Sequence, residues 1–215
     1  MAPSLGSCPL LKQIDLSGNN ICDEGMTEIA QGLPRCRVLT KVGFDSNRIS
    51  DKGVTVLVEN LPKCRKLESI SLNSNLIQCG GAAALAGSIP LCPQMKKLRL
   101  ASNRIADDGA QAIAEQMIPG SQHLEALHVQ GNSPMSSRGR KKIRAAWQEA
   151  GKPSWGLQTD AAVAGPNQLK TSSKKQSTST KSKKQSTSSD QGKSKKQSTL
   201  KVQNSIQELS ESDWR

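Results

Sequence analysis

Nucleophilic, acid–base and metal chemistry all need reactive side chains that converge, so the six cysteines and two histidines of this 215-residue sequence are the first to place. Four of the cysteines, Cys8, Cys36, Cys64 and Cys92, recur every 28 residues. A structural zinc wants four ligands closing on a tetrahedron, whereas a constant interval lays residues out in a line. Neighbours in that line could approach disulfide range, but the start MAPSLGSCPLL lacks the basic stretch and long apolar core of a secretion signal. Reduced thiols filling a buried column are therefore expected, with Cys22 and Cys79 packed in turns off the column. His123 and His128 lie five apart, with no thiol or carboxylate spaced to complete a triad, and His128 falls on an outward strand position. The run 191–194, QGKS, fails as a phosphate loop because Thr187 stands where glycine is required. These residues imply no catalytic set, no metal and no cofactor, and a non-enzymatic protein that works by binding.

The interval that spaces the cysteines spaces everything around them. Asn19, Asn47, Asn75, Asn103 and Asn132 follow at steps of 28, 28, 28 and 29, which marks a repeat array. Before each asparagine stand three apolar columns, of which Leu16, Phe44, Leu72, Leu100 and Val129 form the nearest. Their alternation predicts a short strand and a turn. Gly25, Gly53, Gly81 and Gly109 then open segments whose apolar residues recur at i, i+3, i+4 and i+7, with Leu33, Leu61, Ile89 and Met117 as the last column. That is the buried stripe of an amphipathic helix, halted by Pro34, Pro62, Pro90 and Pro119. A single strand–helix unit cannot bury its stripe alone, so the units must stack. The asparagines are expected to form a ladder of buried amides that satisfies the turn backbone.

The pattern L-x-x-L-x-L-x-x-N-x-I, with DEG-like turns such as that at Asp23 to Gly25, resembles the leucine-rich repeats of the ribonuclease-inhibitor type. It is similar above all to the repeat regions of cytosolic NOD-like receptors, and the stretch RAAWQEAGKPSWGL after the last repeat resembles a terminal segment of such proteins. The resemblance implies an α/β leucine-rich repeat solenoid, with a curved parallel sheet on the concave side and helices on the convex side. It also implies a protein-binding adaptor in innate-sensing-type regulation. Ran GTPase-activating proteins share the repeat type, which makes regulation of a small GTPase an alternative, although the arginine loop that activity needs is not identifiable here. The predicted domains are an array over 1–157, five repeats with a terminal helix, and a disordered Ser/Thr/Lys-rich tail over 158–215.

With no reactive constellation, function falls to surfaces. Strand side chains between the buried ones face the concave side, which places Lys41, Asp45, Ser71, Asn73, Lys97, Arg99 and His128 among the candidate contacts for a protein partner. A second candidate surface binds anions: Arg138, Arg140, Lys141, Lys142 and Arg144 cluster within 137–147. The tail repeats SKKQST three times, and from Pro166 onward it carries +7 of the chain's net +12. A segment so poor in apolar residues cannot offset its chain entropy; it would attract an acidic protein or nucleic acid. Scarce aromatics, with no tyrosine and one phenylalanine, argue against base stacking. Ser177, Ser186 and Ser198 each follow Lys-Lys-Gln, a spacing that suggests phosphorylation. No apolar run reaches the roughly 18 residues of a membrane span, and a cytoplasmic or nuclear location is expected.

Overall fold

The computed structural model describes residues 8–159. Six three- or two-residue strands form one parallel sheet in chain order: β1 (Gln13–Asp15), β2 (Lys41–Gly43), β3 (Ser69–Ser71), β4 (Lys97–Arg99), β5 (Ala126–His128) and β6 (Leu157–Gln158). Between them run helices α1 (Asp23–Gly32), α2 (Asp51–Asn60), α3 (Cys79–Ser88), α4 (Asp107–Ala112), the single turn α5 (Ile118–Gly120) and α6 (Ser137–Glu149). The register follows the period: Ile14, Val42, Ile70, Leu98, Leu127 and Leu157 are successive partners in one column. β6 crosses the predicted array boundary at 157, since Gln158 pairs with His128.

The strands are short because the chain must turn after each third apolar residue. The residue before each asparagine, Gly18, Ser46, Ser74, Ser102 or Gly131, adopts a φ of 54 to 73°. That left-handed geometry costs a serine roughly 1 kcal/mol or more, so something must hold it. The asparagines do. Asn75 accepts from Ile49 N through Oδ1 (3.0 Å) and donates through Nδ2 to Phe44 O (2.9 Å) and Leu72 O (3.2 Å). Asn47, Asn103 and Asn132 repeat the arrangement, each tying its own turn to the repeat before it. All four are buried, at 1 to 6 % exposure. Asn19 departs from the expected ladder: it is exposed, and its Nδ2 donates only to Ser17 O among the described residues.

The apolar columns make one continuous core, from Met26 and Leu33 through Phe44, Leu72 and Leu100 to Trp147. Cys36, Cys64 and Cys92 are buried in it outside any disulfide, whereas Cys8 and Cys22 are exposed. Desolvation pushes the Cys64 thiol up to about 11 and the Cys92 thiol to about 12. Each of the first three helices ends in a 3-10 turn that places proline at its start. The repeat that is one residue longer absorbs the extra residue as a π turn over Ile113–Met117, the form one insertion takes inside a helix. The register shifts accordingly. Ile118 stands before Pro119 as Ile89 stands before Pro90, so Ile118 rather than Met117 completes the predicted column, and both are buried.

Candidate partner-binding face

The sheet orders the concave residues, and its small side chains decide which of them are reachable. Ser69, Ala101 and Ala126 are only 6 to 7 % exposed, and Ser71 is 1 % exposed. The expectation that Ser71 faces a partner therefore needs correction. Its hydroxyl donates to Asp45 Oδ1 at 2.6 Å, beneath a network that includes Asn73. Asp45 Oδ1 also accepts from Asn73 N (2.7 Å), Asn73 Nδ2 donates to Asp45 Oδ2 (3.2 Å), and Asn73 Oδ1 accepts from Ala101 N (2.8 Å). Asp45, Ser71 and Asn73 thus form a brace across the carboxyl ends of β2, β3 and β4, where the turn backbone has donors to satisfy.

Beside the brace the face is cationic. Lys41, Lys97, Arg99 and His128 are partly exposed on β2, β4 and β5, and Arg99 and His128 are direct register partners. Burial, then the nearby Arg99 and Lys97 charges, hold the His128 pKa below its usual value, so the imidazole is neutral at pH 7. His123 sits elsewhere. It is exposed on the return loop and lines a cleft of about 310 Å³ with Pro90, Cys92 and Ser121.

The cationic helix α6 is not a ready anion site at its amino end. Ser136 N and Oγ donate to the Asp107 carboxylate at 2.8 and 2.6 Å, which places a negative charge there already. Lys142 Nζ donates to Gln111 Oε1 and Arg144 Nη2 to Thr159 Oγ1, while Arg138 and Lys141 are exposed and Arg140 is partly so. Lys152, absent from the predicted set, donates to Ser121 O (2.6 Å) and Leu124 O (3.0 Å) and stands 5.6 Å from the Trp147 ring. Ser177, Ser186 and Ser198, and the predicted tail beyond Thr159, lie outside the described residues.

A second ladder escapes the sequence reading. The aspartate that begins α1, α2 or α4 binds the start of the helix in the next repeat. Asp23 accepts from Ser50 N, Ser50 Oγ and Gly53 N at 2.8, 2.6 and 3.1 Å. Asp51 accepts from Gln78 N at 2.6 Å, and Asp107 does the same for Ser136. Burial raises the Asp23 pKa, but the Ser50 and Gly53 donors outweigh it and the net shift is downward. The glycine column makes room: a Cβ on Gly53, Gly81 or Gly139 would lie 2.6, 2.6 or 2.5 Å from the preceding aspartate oxygen. Position 79 is cysteine, and α4 starts from Ala106 with no side-chain cap.

A family model described as a leucine-rich repeat matches residues 7–30 and 92–114. The described residues have the fold of a leucine-rich-repeat-type solenoid. No curated protein sequence matches it. Among solved structures it is similar to leiomodin-1 actin-binding site 2, at 13% identity with a TM-score of 0.56, covering 68% of this chain and 84% of that one. It is also similar to the tropomodulin C-terminal domain of Caenorhabditis elegans, at 15% identity with a TM-score of 0.53, covering 68% of this chain and 93% of that one. Both likenesses concern the fold. Among the described residues no helix is long and apolar enough to cross a membrane, and no three metal-ligating side chains gather.

Proposed function

We propose that this repeat protein is a binding module that holds a protein partner on its concave face, as an adaptor in regulation of the innate-sensing type. The observation that carries the reading is the contrast within that face. Ser71 is buried under the Asp45–Asn73 brace, whereas the cations Lys41, Lys97 and Arg99, with the neutral His128 beside them, are partly exposed above a floor of small side chains. A rigid sheet with cations standing over alanine and serine suits a partner surface that carries carboxylates. The leiomodin-1 domain of similar fold is itself an actin-binding site, which makes actin one partner to try first.

The experiment is a pull-down with the full chain, with purified actin included as bait, repeated with Lys97→Glu/Arg99→Glu. Partners that bind here are lost or weakened by at least about tenfold, because rim and face charges set steering and specificity. Retention of every partner by a folded double variant removes the concave face from consideration.

A further inference from the structure

The two ends of the solenoid differ in a way that fits them to each other. β1 and β6 are the sheet's edge strands among the described residues. At the amino end, α1 carries Asp23, Glu24 and Glu28 with no lysine or arginine, and Glu24 and Glu28 are exposed. At the carboxyl end, α6 carries Arg138, Arg140, Lys141, Lys142 and Arg144 against a single acid, Glu149. The Arg144–Thr159 contact holds one of these cations beside the outer strand. Each end also exposes a large apolar side chain, Leu10 at 82% and Trp155 at 67%.

We infer that the amino-terminal face of one copy docks on the carboxyl-terminal face of a second, continuing the parallel sheet from β6 into β1. The register is already set. Leu157 lies in the column of Ile14 and Gln158 in that of Asp15, so a second copy laid on β6 repeats the internal spacing. Gly25 supports the joint: among the described residues its Cβ position meets only its own Ile21, at 3.2 Å, whereas Gly53, Gly81 and Gly139 are filled by the aspartate of the repeat before. In α6 the small residue Ser137 holds the first helical position, where α1, α2 and α4 have aspartate. Two amino-terminal ends facing each other would oppose acid to acid, so a two-fold pairing is disfavoured. The contact is head to tail, and contacts of that kind do not close on themselves unless the rotation brings them round.

Sedimentation velocity of the full chain over a range of concentrations tests this. The mean mass should rise with concentration and fall back as salt shortens the Debye length from about 10 Å to about 3 Å. Glu24→Lys/Glu28→Lys at one end, or Lys141→Ala/Arg144→Ala at the other, should each weaken association at least about tenfold. An equimolar mixture of the two variants should give dimers and nothing larger, because one competent end survives on each. Trp155→Ser, at a side chain 67% exposed, should weaken association as well, and far-ultraviolet circular dichroism checks that all variants fold. A monomer at every concentration overturns the inference. So does association that either end's variants leave unchanged, as binding through the lysine tail would produce, or a mixture that stays monomeric.

Discussion

The asparagine ladder and the aspartate ladder do the same job at different depths, and only one of them tolerates a gap. Inside, Asn47, Asn75, Asn103 and Asn132 follow without interruption, and each is nearly inaccessible to water. At the helix starts, Asp23, Asp51 and Asp107 are partly exposed, and the series skips position 79, where Cys79 stands. A buried backbone group left without a partner costs about 1–3 kcal/mol, while a solvated helix end can turn to water. Depth therefore decides which column must be complete.

The largest effect that separates the ladders is expected from Asn75→Ala, which strands the buried Ile49 N and takes one of two amide donors from Phe44 O and from Leu72 O, each of which keeps the other from Asn47 or Asn103, at a cost of about 1–3 kcal/mol. Asn19→Ala, on the exposed end of the same column, stays within about 0.5 kcal/mol. Urea titration of both variants measures the contrast, and equal losses would show that burial is not what matters.

The glycine column offers a change of sign. Gly53→Ala puts a methyl against Asp23 and is expected to destabilise by about 1–3 kcal/mol, whereas Gly25→Ala has no aspartate to meet and stabilises its helix by up to about 1 kcal/mol. Thermal melts of the pair decide it.

Filling the gap is the next smaller effect. Cys79→Asp should supply the uncapped start of α4 and add about 0.5–1 kcal/mol. The gain has a pH signature. The Asp23 and Asp107 pKa values are depressed in the folded chain, so their stabilisation is complete above the unfolded carboxyl pKa and is lost as pH falls through the lower folded values. Melting temperature followed from pH 6 to pH 2 should drop less steeply in Asp23→Asn. Asparagine rungs, which do not titrate, contribute no such slope.

Least costly to stability is Lys97→Glu/Arg99→Glu, within about 0.5 kcal/mol at partly exposed positions. Its readout is the histidine: replacing two repelling cations by anions raises the His128 pKa, visible in the imidazole proton shifts. An unmoved titration would mean that the side chains do not gather as described.

Much of this was legible in the sequence, because a period converts single residues into columns. The buried amides at Asn47 to Asn132 and the apolar columns follow from spacing. The aspartate ladder shares the period but skips position 79, its partners lie in the next repeat, and the DEG triplet looks like a local turn. Ser71 misled for a different reason: alternation sets the direction of a side chain, but a short one sinks between taller neighbours and bonds to Asp45. The serines at 46, 74 and 102 gave no sign of their left-handed backbone, since glycine marks that geometry only at Gly18 and Gly131. The 29-residue step announced an insertion without saying that a π turn would hold it.

The cross-repeat bonds of the asparagines span 26 to 32 residues, whichever repeat they begin from. For folding kinetics this means that closing one loop costs the same entropy anywhere along the chain, and that no bond of this ladder waits for distant segments to find each other. Loop-closure entropy grows only as the logarithm of length, and rates follow mean sequence separation. Adding repeats would therefore lengthen the molecule without raising the barrier of each step, so assembly should begin where local stability is greatest and spread outward like a zip.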